Sequence, residues 1–122
     1  MSVNREKYQA FAKLLEQFCD YTTINQLDAP GLRQRTVSLQ QFFQQQIAPL
    51  ADEDVDSPNA SREQSYRTEI SKQLRLLEMD VMFFQGARQA STATARLQTI
   101  STRLTTLLKY CDAILQPKQS QE

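Results

Sequence analysis

The residues of this chain best spaced for chemistry are four acids. Asp52, Asp54, Asp56 and Glu63 stand at positions one, three, five and twelve of a calcium-binding EF-hand loop. The backbone requirements of that loop are not met. Ser57 stands where a sharp turn calls for Gly, and Pro58 occupies the position whose carbonyl should bind the ion. No calcium site is expected. The acids read instead as an exposed loop, Ala51 to Ala60, whose charge favours the N-terminus of the next helix, with Ser57 or Asn59 as its cap.

Other routes to catalysis are sparse. The chain has no histidine, the commonest general base and transition-metal ligand. Glu78 and Asp80 are two apart and do not share a helical face, so they form no acid–base pair. Asp80, flanked by apolar residues, reads as the partner of an arginine or as a helix-boundary residue. There is no glycine-rich phosphate loop. No catalytic, cofactor or metal site is expected, and the chain reads as a non-enzyme.

A different pattern points to recognition. Between Asp80 and Asp112 the sequence holds Arg88, Arg96, Arg103 and Lys109 and no acid, a local charge of plus four. Arg96 and Arg103 are seven apart and share a face with Thr92, Thr99, Thr106 and Tyr110. This run is either a solvated helix face or a basic patch that docks an acidic partner, with Met82 as an exposed apolar contact or the edge of the core. Nucleic acid is an unlikely partner class: aromatic residues are not interleaved with the charges, and 14 Lys plus Arg balance 14 Asp plus Glu.

These residues must be positioned by helices. Two glycines, four prolines and no alternating Val, Ile and Thr runs argue for an all-α chain. The stretch Leu74 to Ala90 is apolar on two faces at about 100° per residue. Ile70, Leu74, Leu77, Val81 and Phe84 form one stripe; Leu76, Met79 and Phe83 form a second. Two such faces predict neighbours on two sides, hence an antiparallel four-helix bundle with a long central third helix.

The first helix is predicted over Asn4 to Thr23, capped by Asn4, with Tyr8, Phe11, Leu15 and Phe18 on its stripe. The second starts near Pro30 behind Asp28 and carries Leu32, Thr36, Leu39, Phe43, Ile47 and Leu50, with Val37 and Phe42 beside them, until Pro49 ends or kinks it. Gln40, Gln41, Gln44, Gln45 and Gln46 read as a solvated face or a polar contact surface.

The third helix runs from Pro58 or Ser61 to Arg88 or Ala90. Its charged first half is expected to project beyond the core, and its Gly86 to mark close helix packing, with fraying of the helix end as the alternative. The fourth spans Thr92 to Leu115, with Ser91, Thr92 and Thr94 as possible caps. Residues 1–116 make one domain, and 117–122 read as a disordered polar tail.

A chain with no signal-like start and no apolar run of the roughly 18 to 20 residues that a membrane span requires is expected in the cytoplasm, away from membranes. Cys19 and Cys111 lack CxxC spacing, lie on apolar stripes and are expected as reduced thiols near opposite ends of the bundle. A redox pair is the lesser alternative.

Four strings carry a family resemblance: NREKYQAFAKLLEQF (4–18), LRQRTVSLQQFFQQQIAPL (32–50), KQLRLLEMDVMFFQGARQASTATARLQTI (72–100) and RLTTLLKYCDAIL (103–115). Together they resemble the heterocyst frequency control protein PatD family of filamentous cyanobacteria. The resemblance implies a small cytoplasmic regulator that limits how many vegetative cells become heterocysts, linked to cell division through the tubulin-like protein FtsZ. It carries no residue-level binding motif, so Arg88, Arg96, Arg103, Lys109 and Met82 are candidates from charge and exposure alone. The alternative from another class is a homodimerisation or adaptor module in which the projecting half of the third helix pairs with a second chain.

Overall fold

Apolar residues at three- and four-residue spacing need a helix to gather them on one side, and the described residues supply four such helices. The computed structural model describes residues 2–23, 28–52 and 60–116. They form α1 (Ser2–Tyr21), α2 (Ala29–Phe42), α3 (Ala60–Gly86) and α4 (Ala90–Leu115), with no strand among the described residues. The protein is all-α. Part of the acidic loop, residues 53–59, and the tail, 117–122, lie outside the described residues, so the readings made for them stand as expectations.

One apolar core joins all four helices. Tyr8, Phe11, Leu15 and Phe18 come from α1; Leu32 and Leu39 from α2; Ile70, Leu74, Leu77 and Val81 from α3; Ile100, Leu104, Leu107 and Cys111 from α4. Helix α1 packs on α2 and α4, and α3 packs on the same two. Every helix thus has two neighbours, and α3 is not uniquely central. Its stripe from Ile70 to Phe84 meets the core. The second stripe does not: Met79 and Phe83 remain exposed and Leu76 is half-buried. A single broad apolar stripe is enough to serve both neighbours, which leaves the other stripe facing water.

The expected second helix is broken into three geometries. After Phe42 the chain takes a π turn over Phe43–Ile47 and a 3-10 turn over Ala48–Asp52. Pro49 lacks an amide donor, so a regular α ladder cannot continue through it. The N–H of Ala48 reaches back five residues to the carbonyl of Phe43. The wide turn keeps Phe43 and Ile47 buried on one side, and three residues per 3-10 turn place Leu50 beneath Ile47. Spacings of four and then three look like continuous α-helix in sequence. Here they report two changes of pitch.

Local chemistry fixes the helix ends. Asp28 caps α2 by accepting from the N–H of Gly31 at 3.0 Å, and the same Oδ1 accepts from the Tyr21 hydroxyl at 2.7 Å. The Tyr21 hydrogen bond, then the Gly31 amide, hold the Asp28 carboxyl below its ordinary range. Arg35 lies over the Tyr21 ring, 3.8 Å from its centroid. Helix α1 begins at Ser2, two residues ahead of the expected start at Asn4. Helix α4 begins two residues earlier than expected, at Ala90, with Gln89 at the cap position and no side-chain cap bond from Ser91, Thr92 or Thr94. Inside α4, the hydroxyls of Thr99, Thr105 and Thr106 each donate to the carbonyl four residues back, which satisfies them in a threonine-rich helix.

The two glycines separate cleanly. A Cβ on Gly31 would collide with the Tyr21 hydroxyl and sit 2.5 Å from the Asp28 carboxylate. A Cβ on Gly86 would meet nothing within 4 Å, which corrects the expectation of close helix packing there. Neither glycine has positive φ. Gly86→Ala is therefore expected to stabilise the chain by about 0.4–1 kcal/mol, mainly by restricting the unfolded state. Gly31→Ala is expected to lower the melting temperature by breaking the Tyr21–Asp28 contact. Thermal unfolding of the two variants, with opposite signs of change, is the check.

Candidate functional site

The α3–α4 pair carries the candidate residues, and one buried ion pair determines which of them are available. Asp80 on α3 is buried, and its Oδ2 accepts from Nε of Arg103 on α4. Arg103 also donates from Nη1 to Oε1 of Gln73 at 3.0 Å. The arginine partner expected for Asp80 is thus a member of the acid-free run itself. Its charge is spent on the carboxylate, and its side chain is only 21% exposed, so Arg103 is not a free docking cation. Gln73, Arg103, Thr99 and Thr106 line a polar groove with Gln98 and Thr102.

The other candidates differ in kind. Arg88 and Lys109 are exposed. Arg96 is half-buried, with its guanidinium over the Phe83 ring at 4.6 Å from the centroid, a cation–π arrangement between α4 and α3. Met82 is 60% exposed, which places it outside the core. Charge and apolar surface therefore meet around Phe83, whereas Arg103 belongs to the helix interface.

Sequence reasoning missed a second polar cluster at the other end of α3. Arg67 is buried, contacts the Tyr8 hydroxyl at 3.2 Å and pairs with Glu63 at 3.0 Å. Arg62 donates to the Ala113 carbonyl at 2.8 Å, and Tyr66 packs on Tyr110 with ring centroids 5.7 Å apart. Arg5 donates to the Leu115 carbonyl at 2.7 Å. Two arginines from other helices thus serve the carbonyl end of α4, where positive charge is favoured. The first half of α3 is packed and does not project beyond the core. Glu63, twelfth residue of the calcium-loop spacing, is committed to Arg67. A charge four residues along a helix looks like a surface pair in sequence; only the approach of Tyr8 from α1 buries it.

A family model described as the CRR41 C-terminal domain matches residues 31–109. The chain belongs to the CRR41 C-terminal domain family. The match to the CRR41 domain runs from the start of α2 into α4, so it contains Asp80, Arg103, Met82, Phe83 and Arg96 and leaves out α1. No curated protein and no solved structure matches the chain.

Both cysteines are free thiols. Cys111 is buried, and burial first, with Asp112 second, pushes its thiol up to about 12. Burial, followed by Asp20 and Glu16, also raises the half-buried Cys19. Burial pushes the Tyr8 phenol well above its ordinary 10.0, against the opposing hydrogen bond from Arg67. For Cys111 and Tyr8 the unfolded chain releases its proton first, so their stabilising contributions are complete below the ordinary values of 9.0 and 10.0 and are lost as pH rises toward the folded values. The melting temperature is expected to fall from about pH 9 upward, and Tyr8→Phe and Cys111→Ala should each make that fall shallower.

The ion pair makes a separate prediction. Arg103→Met leaves a buried carboxylate without its cation and is expected to cost about 1–3 kcal/mol, below the range for a fully buried pair because Arg103 is partly hydrated. Chemical denaturation of Arg103→Met, Asp80→Leu and the double variant measures the coupling. Additive losses in this cycle would show that the pair is energetically idle.

Proposed function

We propose that the chain is a non-enzymatic regulator of heterocyst frequency and cell division, of the PatD type, acting in the cytoplasm by binding FtsZ and biasing its polymerisation. The PatD part of this reading rests on the four sequence strings; the CRR41 domain description names no activity. The observation that carries the binding part is the acid-free run after Asp80, in which Arg88 and Lys109 are exposed and Arg96 is half-buried at the edge of an exposed apolar side chain. Arg88 lies just before α4 and Lys109 about 30 Å along it, so these charges are strung along the helix and do not form one patch. Charge strung in this way favours encounter with an acidic partner.

Residues 1–116 are read as one antiparallel four-helix bundle. Contacts between residues of opposite position along neighbouring helices support that topology. Arg5, in the first turns of α1, meets Leu115, the last residue of α4. Tyr66, early in α3, meets Tyr110, late in α4, and Phe83, late in α3, meets Arg96, early in α4. No helix among the described residues is long and apolar enough to cross a membrane, in keeping with a partner met in solution.

Because Arg103 holds Asp80, charge reversal there would disturb the helix interface as well as the surface. The informative variant is Arg88→Glu/Lys109→Glu, both positions being exposed. Purified FtsZ captured at low salt is expected to bind this variant at least tenfold more weakly, and the wild-type interaction should weaken as salt rises. Equal capture of wild type and variant would discard this surface.

A further inference from the structure

Met79, Met82 and Phe83 are 48%, 60% and 48% exposed, and their spacing places them together on the outward face of α3. Large apolar side chains scattered singly are ordinary on a protein surface; a cluster rimmed by charge marks a contact face. Methionine adapts its shape to a partner at small cost.

The rim is cationic. Arg75, one turn before Met79, is exposed; Arg88 follows the end of the helix; Arg96 reaches over Phe83 from α4. Of the acids nearby, Asp80 is buried against Arg103, whereas Glu78 is exposed and accepts from the neutral amide of Gln40 at 3.2 Å, so the rim sets three cations against one carboxylate. Among the described residues none of Arg75, Arg88 and Arg96 has a carboxylate partner.

That excess of positive charge selects the occupant. A second copy of the chain would set the same arginines against one another. An anionic bilayer calls for an apolar stripe running along the helix. Here the outward face before Arg75 is made of exposed Ser61, Ser65, Thr68 and Lys72, so the ridge is little more than one turn long. We propose that Met79, Met82 and Phe83, rimmed by Arg75, Arg88 and Arg96, dock an acidic protein segment that presents apolar side chains at helical spacing. This rests on the protein-binding reading above and names the face used: the apolar ridge anchors the segment, and the arginines orient it.

The test uses the whole chain with labelled methionine methyl groups and a synthetic amphipathic peptide bearing Glu on one face and Leu on the other. The expected result is movement of the Met79 and Met82 methyl signals, with at least tenfold weaker binding of a scrambled peptide of the same composition. Met82→Gln/Phe83→Gln and Arg75→Gln/Arg96→Gln should each weaken binding at least tenfold while circular dichroism reports an unchanged helix content. Undiminished binding by Met82→Gln/Phe83→Gln, or unmoved methyl signals, would overturn the proposal. So would methyl shifts on concentrating the chain alone, which indicate a second copy, or tighter binding to phosphatidylglycerol vesicles than to the peptide. FtsZ capture separates the two readings. If Met82→Gln/Phe83→Gln captures FtsZ as well as wild type, the ridge is overturned and the regulator reading stands. If wild type binds the peptide through the ridge but captures no FtsZ, the regulator reading is overturned and the ridge stands.

Discussion

A carboxylate buried beside an apolar stripe has to find a cation, and the rest of the α3–α4 arrangement depends on how Asp80 does so. Its partner comes from α4, not from its own helix, so the pair fixes which sides of the two helices meet. Gln73, seven residues before Asp80, binds the same guanidinium and extends the constraint along two turns of α3. Once that side is committed to α4, and Leu74 and Gln40 bring α2 to another, the stripe of Met79 and Phe83 has only solvent left to face. The exposed ridge is therefore a consequence of where a charge was buried.

The opposite end of α3 obeys the same rule with different residues. Arg67 is buried because Glu63 neutralises it and the Tyr8 hydroxyl takes a further contact. Isolated charges do not survive in such places, and polar pairs of this kind are costly to misalign. Apolar stripes alone would tolerate sliding by a turn. The two clusters, one towards each end of α3, oppose that freedom: a one-turn slip would strand Asp80 without Arg103 at one end and part Arg67 from the Tyr8 hydroxyl at the other, while the Arg67–Glu63 pair, on one helix, would move as a unit.

The helical class, the core stripes of α1 and α4, the first stripe of α3 and the Asp28 cap were legible in the sequence because each depends on local spacing or a local hydrogen bond. So was the need of Asp80 for an arginine. What escaped was decided by contacts between distant segments. Arg67 looks like one half of an ordinary surface pair until Tyr8 arrives from 59 residues away. Arg103 looks like a free member of a basic run until Asp80 claims it. The π and 3-10 turns after Phe42 escaped for another reason: their apolar spacing mimics an α-helix, and only the two changes of pitch, at Phe43 and Ala48, distinguish them. Gly86 fits either a packed crossing or a frayed end in sequence, and the open space around it is what speaks against packing.

The arginines at the carbonyl end of α4 carry a kinetic meaning as well as a static one. Arg5 and Leu115 are 110 positions apart, so their contact closes a loop spanning nearly the whole chain. The entropy of that closure must be met before the contact returns anything, whereas Asp80 and Arg103 close a loop of only 23 positions. Topology thus favours early pairing of α3 with α4 over the contacts between α1 and α4.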